Sequence, residues 1–505
     1  MSKNINFEEI DIGLQFRNFV SQVISVIATA ACVYCLGSTL VRLSSDKTRL
    51  IALNSADFEL LLSEHINWVK FNKKTNELDA VSDPPRRRIQ NIFQLSEKPA
   101  IPQLQGVTHS PLIDCAGKLI CQQPGYDPEY GYFALFDKAD FAPYCWSKEP
   151  TVEEGQAAIA ELADDLLGDF AFLTPQDKSV ALSALVTASL RPVLKAAPMF
   201  LNNAPFGTGK SLLSDVLGIF AAGRIPAASS WPSNEDDCRK LLISKLISFP
   251  PVVFFDNANG LLRPHNCLCT CLTEPVYEDR ILGKSEVAAV STKSLFLVNG
   301  KNARVTEDLE RRTLPIYMSA RSRLNRSFKH ADLRSYVLKE RTRLIMLALK
   351  GAAAYVRANT PVKGVTPVLN YDDWDLLCRR TLLFYGYADP AVPILEALTN
   401  KLTEDPDQKL ADLLVELIGL RTPFGTAEVS DLLASEHATA LMQLLPPHVM
   451  DPSGNVNRRV LGHVLSAWCE EADLYGLAVT CTGTAPQCKY VLHRLDEQSA
   501  DTAGM

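Results

Sequence analysis

The run Ala204-Pro205-Phe206-Gly207-Thr208-Gly209-Lys210-Ser211 has the residue types and spacing to hold a polyphosphate. Gly207 and Gly209 let the backbone curl so that its N–H groups turn inward on phosphate oxygens. Lys210 carries a full positive charge to the β and γ phosphates, and Ser211 offers a hydroxyl to a magnesium ion. The apolar run Met199-Phe200-Leu201 precedes the loop, and Leu212, Leu213, Val216, Leu217 and Phe220 follow it at helical spacing. Strand, glycine-rich turn, helix is the context such a loop requires, and the helix N-terminus adds a partial positive charge of its own. Ala204 occupies the first position of the pattern, where glycine is usual. The implied ligand is ATP with Mg²⁺, cradled by residues 204–212.

A second group must organise the metal's water shell. Pro250-Pro251-Val252-Val253-Phe254-Phe255-Asp256-Asn257 reads as a buried strand with a carboxylate at its C-terminal end, the edge where open α/β sheets bind ligands. Asp256 is therefore expected to hold magnesium and to meet Lys210 from a neighbouring strand. Asn257 follows it where many ATPases carry a water-activating glutamate. An amide takes no proton at neutral pH, so Asn257 orients the water or the base comes from elsewhere. The next apolar strand, Ser294-Leu295-Phe296-Leu297-Val298-Asn299-Gly300, ends in a polar side chain that suits a γ-phosphate sensor, although Asn-Gly is also a common turn dipeptide. Beyond it stands Asp308-Leu309-Glu310-Arg311-Arg312. Arg311 or Arg312 can reach a neighbouring subunit's γ-phosphate, or else form a surface salt-bridge cluster.

These residues need a scaffold, and the chain is long enough for several domains at 505 residues. With 47% hydrophobic and 22% charged residues it reads as globular. A net charge of -7 confines any nucleic-acid contact to local patches. Thirteen cysteines without framework spacing, and no signal peptide, point to a reducing cytoplasmic setting. The apolar stretch Phe19–Leu36 shifts from helical to strand-like spacing, which predicts a helix to about Ala30 and one strand over Val33–Leu43 rather than a membrane span. The pattern divides the chain into an α+β module over 1–150, a parallel-sheet α/β core with a helical lead-in over 151–325, a helical region over 326–420, a small domain over 421–495 and a polar tail over 496–505.

The order of phosphate loop, Asp-Asn strand, sensor Asn and Arg pair resembles AAA+ ATPases of the superfamily 3 helicase kind. More closely it resembles the ATPases of plasmid, phage and integrative-element primase-helicases, which are related to the poxvirus-type primase-helicase. Gly125-Tyr126-Asp127, Leu190-Arg191-Pro192, Ala197-Pro198, Arg280-Ile281-Leu282-Gly283 and Asp389-Pro390 fit the same group. The resemblance implies a P-loop fold, a homo-oligomeric ring (a hexamer), ATP bound between subunits, and translocation along one DNA strand during replication of a mobile element. It also implies a hairpin over Leu282–Lys293 that projects into the ring's channel, with Lys284 and Lys293 as phosphate contacts. Residues 1–150 lack a primase pattern, so any priming partner is a separate protein. An alternative is a DNA-bound ATPase switch that recruits partners without unwinding.

The last domain reads as a winged helix. A helix opens at Asn457-Arg458-Arg459 with Leu465 and Trp468 inward, and the runs Leu477–Thr482 and Lys489–Leu495 form the wing. Arg458 and Arg459 are candidate DNA contacts, although winged helices also serve as protein contacts. His265, Cys267, Cys269 and Cys271 invite a zinc reading, but C-x-C-x-C in a helical segment lacks the paired spacing of zinc sites.

Overall fold

The computed structural model describes residues 8–37, 39–46, 49–95, 101–280, 287–319, 328–403, 406–432, 445, 449, 457–469, 477–483 and 488–494. The chain forms two compact units, Met1–Leu395 and Glu396–Met505.

The first unit begins with the helix Phe16–Ala30, which buries Phe19, Val23, Val26 and Ile27. That spacing is one helical face. The helix stops at Ala31, which takes a left-handed conformation. No helix among the described residues is long and apolar enough to cross a membrane. The single strand expected over Val33–Leu43 is instead a hairpin of Tyr34–Leu36 and Thr39–Leu43. Gly37, at φ 60°, turns the chain where periodicity suggested continuity.

The core of this unit is a sheet of five strands: β1 (Met199–Asn203), β2 (Ala228–Ser230), β3 (Val252–Leu262), β4 (Leu295–Val305) and β5 (Thr313–Tyr317). Their order is β2-β3-β4-β1-β5, and every pairing is parallel. Residues of β1 are buried throughout, as expected for a strand covered on both faces. This mixed α/β arrangement is consistent with a P-loop-like fold. It also corrects one expectation: the strands leading to Lys210 and Asp256 are not neighbours, because β4 lies between them. A run of apolar residues cannot reveal lateral strand order, since each buried strand looks alike in sequence.

Helices set the phosphate loop in place. The lead-in helices α1 (Val152–Leu167) and α2 (Pro175–Leu190) both begin with capping boxes, from Thr151 with Glu154 and Thr174 with Asp177. Helix α2 is buried on nearly every side, which marks it as a central packing element. Helix α3 (Lys210–Ala222) starts at the loop and ends at Gly223, at φ 70°. A long helix, α4 (Leu333–Ala358), follows β5. Behind α2, Arg379 is 1% exposed and pairs with Asp375 at 2.7 Å and Asp389 at 2.6 Å.

In the second unit, the helices Pro406–Ile418, Thr426–Leu432 and Arg458–Trp468 pack on an antiparallel hairpin of Leu477–Thr482 and Lys489–Arg494. Phe424 bridges to Tyr490 as a short third strand. Leu414, Phe424, Leu461, Leu465, Trp468 and Leu492 form its core. The tail 496–505 lies outside the described residues.

Candidate nucleotide site

The loop between β1 and α3 has the backbone that its glycines permit. Gly207 sits at φ 72° and Gly209 at φ 100°, conformations costly for residues with a β-carbon. Thr208 Oγ1 donates to the Pro205 carbonyl at 2.9 Å and helps hold the curl. The Phe170 ring lies 3.2 Å from where a β-carbon on Gly209 would stand. Ser211, in the first turn of α3, is exposed. The loop thus brings a curled backbone, a hydroxyl and a helix N-terminus together.

Lys210 Nζ donates to the carbonyls of Gly300 at 3.2 Å and Ala204 at 3.3 Å. Its pKa is lowered, first by partial burial and also by Lys301, while Asp256 acts in the opposite sense. The ammonium therefore lies within the electrostatic reach of Asp256 across β4. Asp256 and Asn257 sit at a bulge in β3: the register runs Phe255 with Val298, then Ala258 with Gly300. Two residues of β3 thus face one of β4, which re-aims the side chains there. Asn257 takes φ 60° and donates its backbone N–H to Asp256 Oδ1 at 2.9 Å. Asn257 is exposed beside the site. Beyond the bulge, β3 continues to Leu262 instead of ending at Asp256.

Asn299 differs from its expected position at the cleft. Its side chain is 0% exposed. Asn299 Oδ1 accepts from Ser214 Oγ at 2.6 Å and from Asn202 Nδ2 at 3.2 Å, beneath the loop. A group no water molecule can touch cannot meet a phosphate without rearrangement. Among the described residues Asn299 Nδ2 and Asn202 Oδ1 have no hydrogen-bond partner, an expensive state for buried polar atoms. The exposed residues of β4 beyond Gly300 are Lys301, Asn302 and Arg304. Lys301 was not singled out from sequence, because the apolar run appeared to close at Asn299-Gly300. The signal was a lysine directly after that glycine. Phe170 was also missed, since nothing in its local pattern ties it to a loop almost forty residues later.

Arg311 and Arg312 lie on the short 3₁₀ turn Glu307–Arg312 before β5. Both pair with Asp308, Arg311 at 2.5 Å and Arg312 at 2.6 Å. Within one chain this is the salt-bridge cluster of the alternative reading. Arg312 is 9% exposed and Arg311 is the more accessible of the two.

A hairpin precedes β4, with arms Val276–Arg280 and Val287–Ser291 paired antiparallel, so its first arm lies ahead of the expected Leu282–Lys293. Its turn, with Lys284, lies outside the described residues. Lys293 falls beyond the hairpin, with its ammonium 5.6 Å from the Tyr132 ring centre. Burial, then Arg191, lowers its pKa to about 8. This packing corrects its assignment to the projecting part of the hairpin. In the second unit, Arg458 and Arg459 are exposed at the start of their helix, and Arg458 lies 4.0 Å from Asp431. Cys267, Cys269 and Cys271 are buried in the apolar cluster under β3 and β4, where they pack as small hydrophobic residues.

No protein-family model matches this chain. No curated protein matches it either. Among solved structures it is similar to the A-form apo structure of the NrS-1 C-terminal region, with 11% identity and a TM-score of 0.37 over 93% of this chain and 98% of that one. It is also similar to the X-ray structure of JCV helicase, with 14% identity and a TM-score of 0.20 over 53% of this chain and 73% of that one. Likeness this remote leaves the functional reading to the site itself.

Proposed function

We propose that this chain is an ATP hydrolase that drives movement along, or unwinding of, DNA. The observation that carries the reading is the convergence at one sheet edge of a left-handed glycine loop, Lys210 at a helix N-terminus, and Asp256 within reach of that lysine's charge. The loop's backbone N–H groups and Lys210 bind and orient the phosphates. Ser211 and Asp256 would hold Mg²⁺, whose charge offsets that developing on the transferred phosphoryl group. Asn257, aimed outward by the bulge, orients water without accepting its proton. Lys301, close enough to perturb Lys210, adds a second cation at the mouth. Two ammonium groups against one carboxylate suit a polyanion.

The DNA part of the proposal rests on the motif order and on the hairpin that precedes β4. In this reading the chain assembles into a homo-oligomeric ring, a hexamer, with Arg311 released from Asp308 to serve the adjoining subunit's site. The ring replicates a mobile element with a separate primase. The second unit acts as a winged helix that presents Arg458 and Arg459 to phosphates. ATP-dependent strand displacement on a forked duplex, with ATPase rate measured with and without single-stranded DNA, tests it. Displacement that disappears in Lys210→Ala supports the proposal. DNA-independent turnover without displacement overturns the helicase reading.

Two observations favour a second reading. The position after Asp256 holds an amide, and Asn299 is buried away from the cleft. A site without an adjacent general base turns over slowly, as suits a DNA-bound ATP switch that recruits partners. ATP-dependent DNA retention without unwinding distinguishes it.

A further inference from the structure

At the opposite edge of the sheet from Lys210, where the chain enters β3, lies a cavity of about 340 Å³. Arg224, just past the end of α3, and Arg49, from the N-terminal sheet, both line it. Their side chains belong to exposed residues, and among the described residues neither has an ion-pair partner. Among the described residues no carboxylate lines the cavity. In a chain of net charge -7 this is a local excess of positive charge.

The neighbouring groups reinforce it. Arg341 is half-buried, and its guanidinium donates to the carbonyls of Ile219 at 2.8 Å, Phe220 at 2.9 Å and His109 at 3.1 Å. The first two are C-terminal carbonyls of α3, which stabilise a cation. His109 also lines the cavity. Its pKa is lowered to about 4 by burial and then by Arg341 and Arg224, so the imidazole is neutral at pH 7. Apart from Ser248 the remaining wall is apolar, with Phe249, Val107, Leu135 and Ile247. The volume lies at the small end of the roughly 300–1,000 Å³ usual for ligand pockets.

We propose that this cavity is a second nucleotide-binding site, with a phosphate held between Arg49 and Arg224 and a planar base laid against the wall that includes Phe249. The nucleotide is either free or one unit of a single DNA strand. Both present the same chemistry, an anion joined to a flat aromatic body. The site uses no residue of the phosphate loop, so it stands or falls apart from the ATPase reading.

The test uses the full chain carrying Lys210→Ala, which weakens the other site, with dTMP and a thymidine oligonucleotide as separate probes. dTMP lacks the β and γ phosphates that Lys210 serves. Adding Arg49→Ala and Arg224→Ala is expected to weaken binding at least about tenfold, because each lost charged hydrogen bond is worth ~1.5–3 kcal/mol. Arg49→Lys with Arg224→Lys retains part of the affinity. Lys73→Ala with Lys74→Ala, the same charge loss at an exposed turn, leaves it within about twofold, inside the scatter expected of a distant surface change. Weakening for dTMP identifies a free-nucleotide site; weakening for the oligonucleotide alone identifies a strand site. Failure of the parent to bind either probe, or equal affinity after loss of both arginines, overturns the proposal.

Discussion

Lys210→Ala separates a catalytic lysine from a structural one. A phosphate oxygen about 4 Å from the ammonium gains on the order of 4 kcal/mol at an effective dielectric of 20. At about 1.4 kcal/mol per decade, removing that charge lowers kcat/KM for ATP roughly a thousandfold. Stability responds differently. The ammonium's two bonds, to Gly300 and Ala204, are 3.2 and 3.3 Å long, beyond the usual optimum. Partial burial lowers its pKa, so folding disfavours the charged form. The sign follows: near neutral pH a lysine with a depressed folded pKa weakens the fold, and that penalty fades as pH rises toward its unfolded value. The variant is therefore expected to keep its urea midpoint or gain slightly. Steady-state hydrolysis and equilibrium unfolding, run on one preparation, check both halves. Retained turnover refutes the site, and a large fall in the midpoint refutes the claim that Lys210 serves the ligand rather than the fold.

Ser214→Ala removes the hydroxyl that joins Asn299 at 2.6 Å and Asn202 at 2.7 Å. A cost of about 1–3 kcal/mol in urea unfolding is expected, since two buried amides lose a partner; an unchanged midpoint contradicts this. Arg379→Ala leaves Asp389 without its buried guanidinium and Asp375 with only Arg380, so a loss of about 3–5 kcal/mol is expected from the same measurement. Asp165 is driven up by burial, but hydrogen bonds from Lys329, Tyr336 and His330 outweigh this and bring its pKa to about 2. Its stabilisation is complete above the unfolded value near 3.8 and is lost as pH falls toward 2. Asp165→Asn is expected to flatten that acid limb by roughly 1–2 kcal/mol, read from urea midpoints across the window.

Local features were legible before any coordinates. The loop at Gly207 and Gly209 shows itself because only glycine takes those dihedrals cheaply. The helix beginning at Lys210 appears in the spacing of Leu213, Val216, Leu217 and Phe220. The hairpin strands Leu477–Thr482 and Lys489–Arg494 match their apolar alternation almost residue for residue. The hairpin turn at Gly37 was missed, because one left-handed glycine interrupts a run whose β-branched and apolar residues all favour strand.

Other features depend on residues far apart in the chain. Strand order is one: β4 enters between β1 and β3 because lateral pairing is settled by crossovers and helix packing, which a buried apolar strand does not encode locally. The burial of Asn299 is another, since Ser214 and Asn202, both distant in sequence, pull its amide beneath the loop. The bulge at Asp256 and Asn257 depends on register with β4. The cavity beside Arg49 and Arg224 needs two segments from different parts of the chain to meet. Residue types alone determined which groups can carry charge and curl around phosphate, because those are properties of single side chains and dihedrals. The tertiary structure alone decided which groups water and ligand can reach, because accessibility belongs to the packed whole.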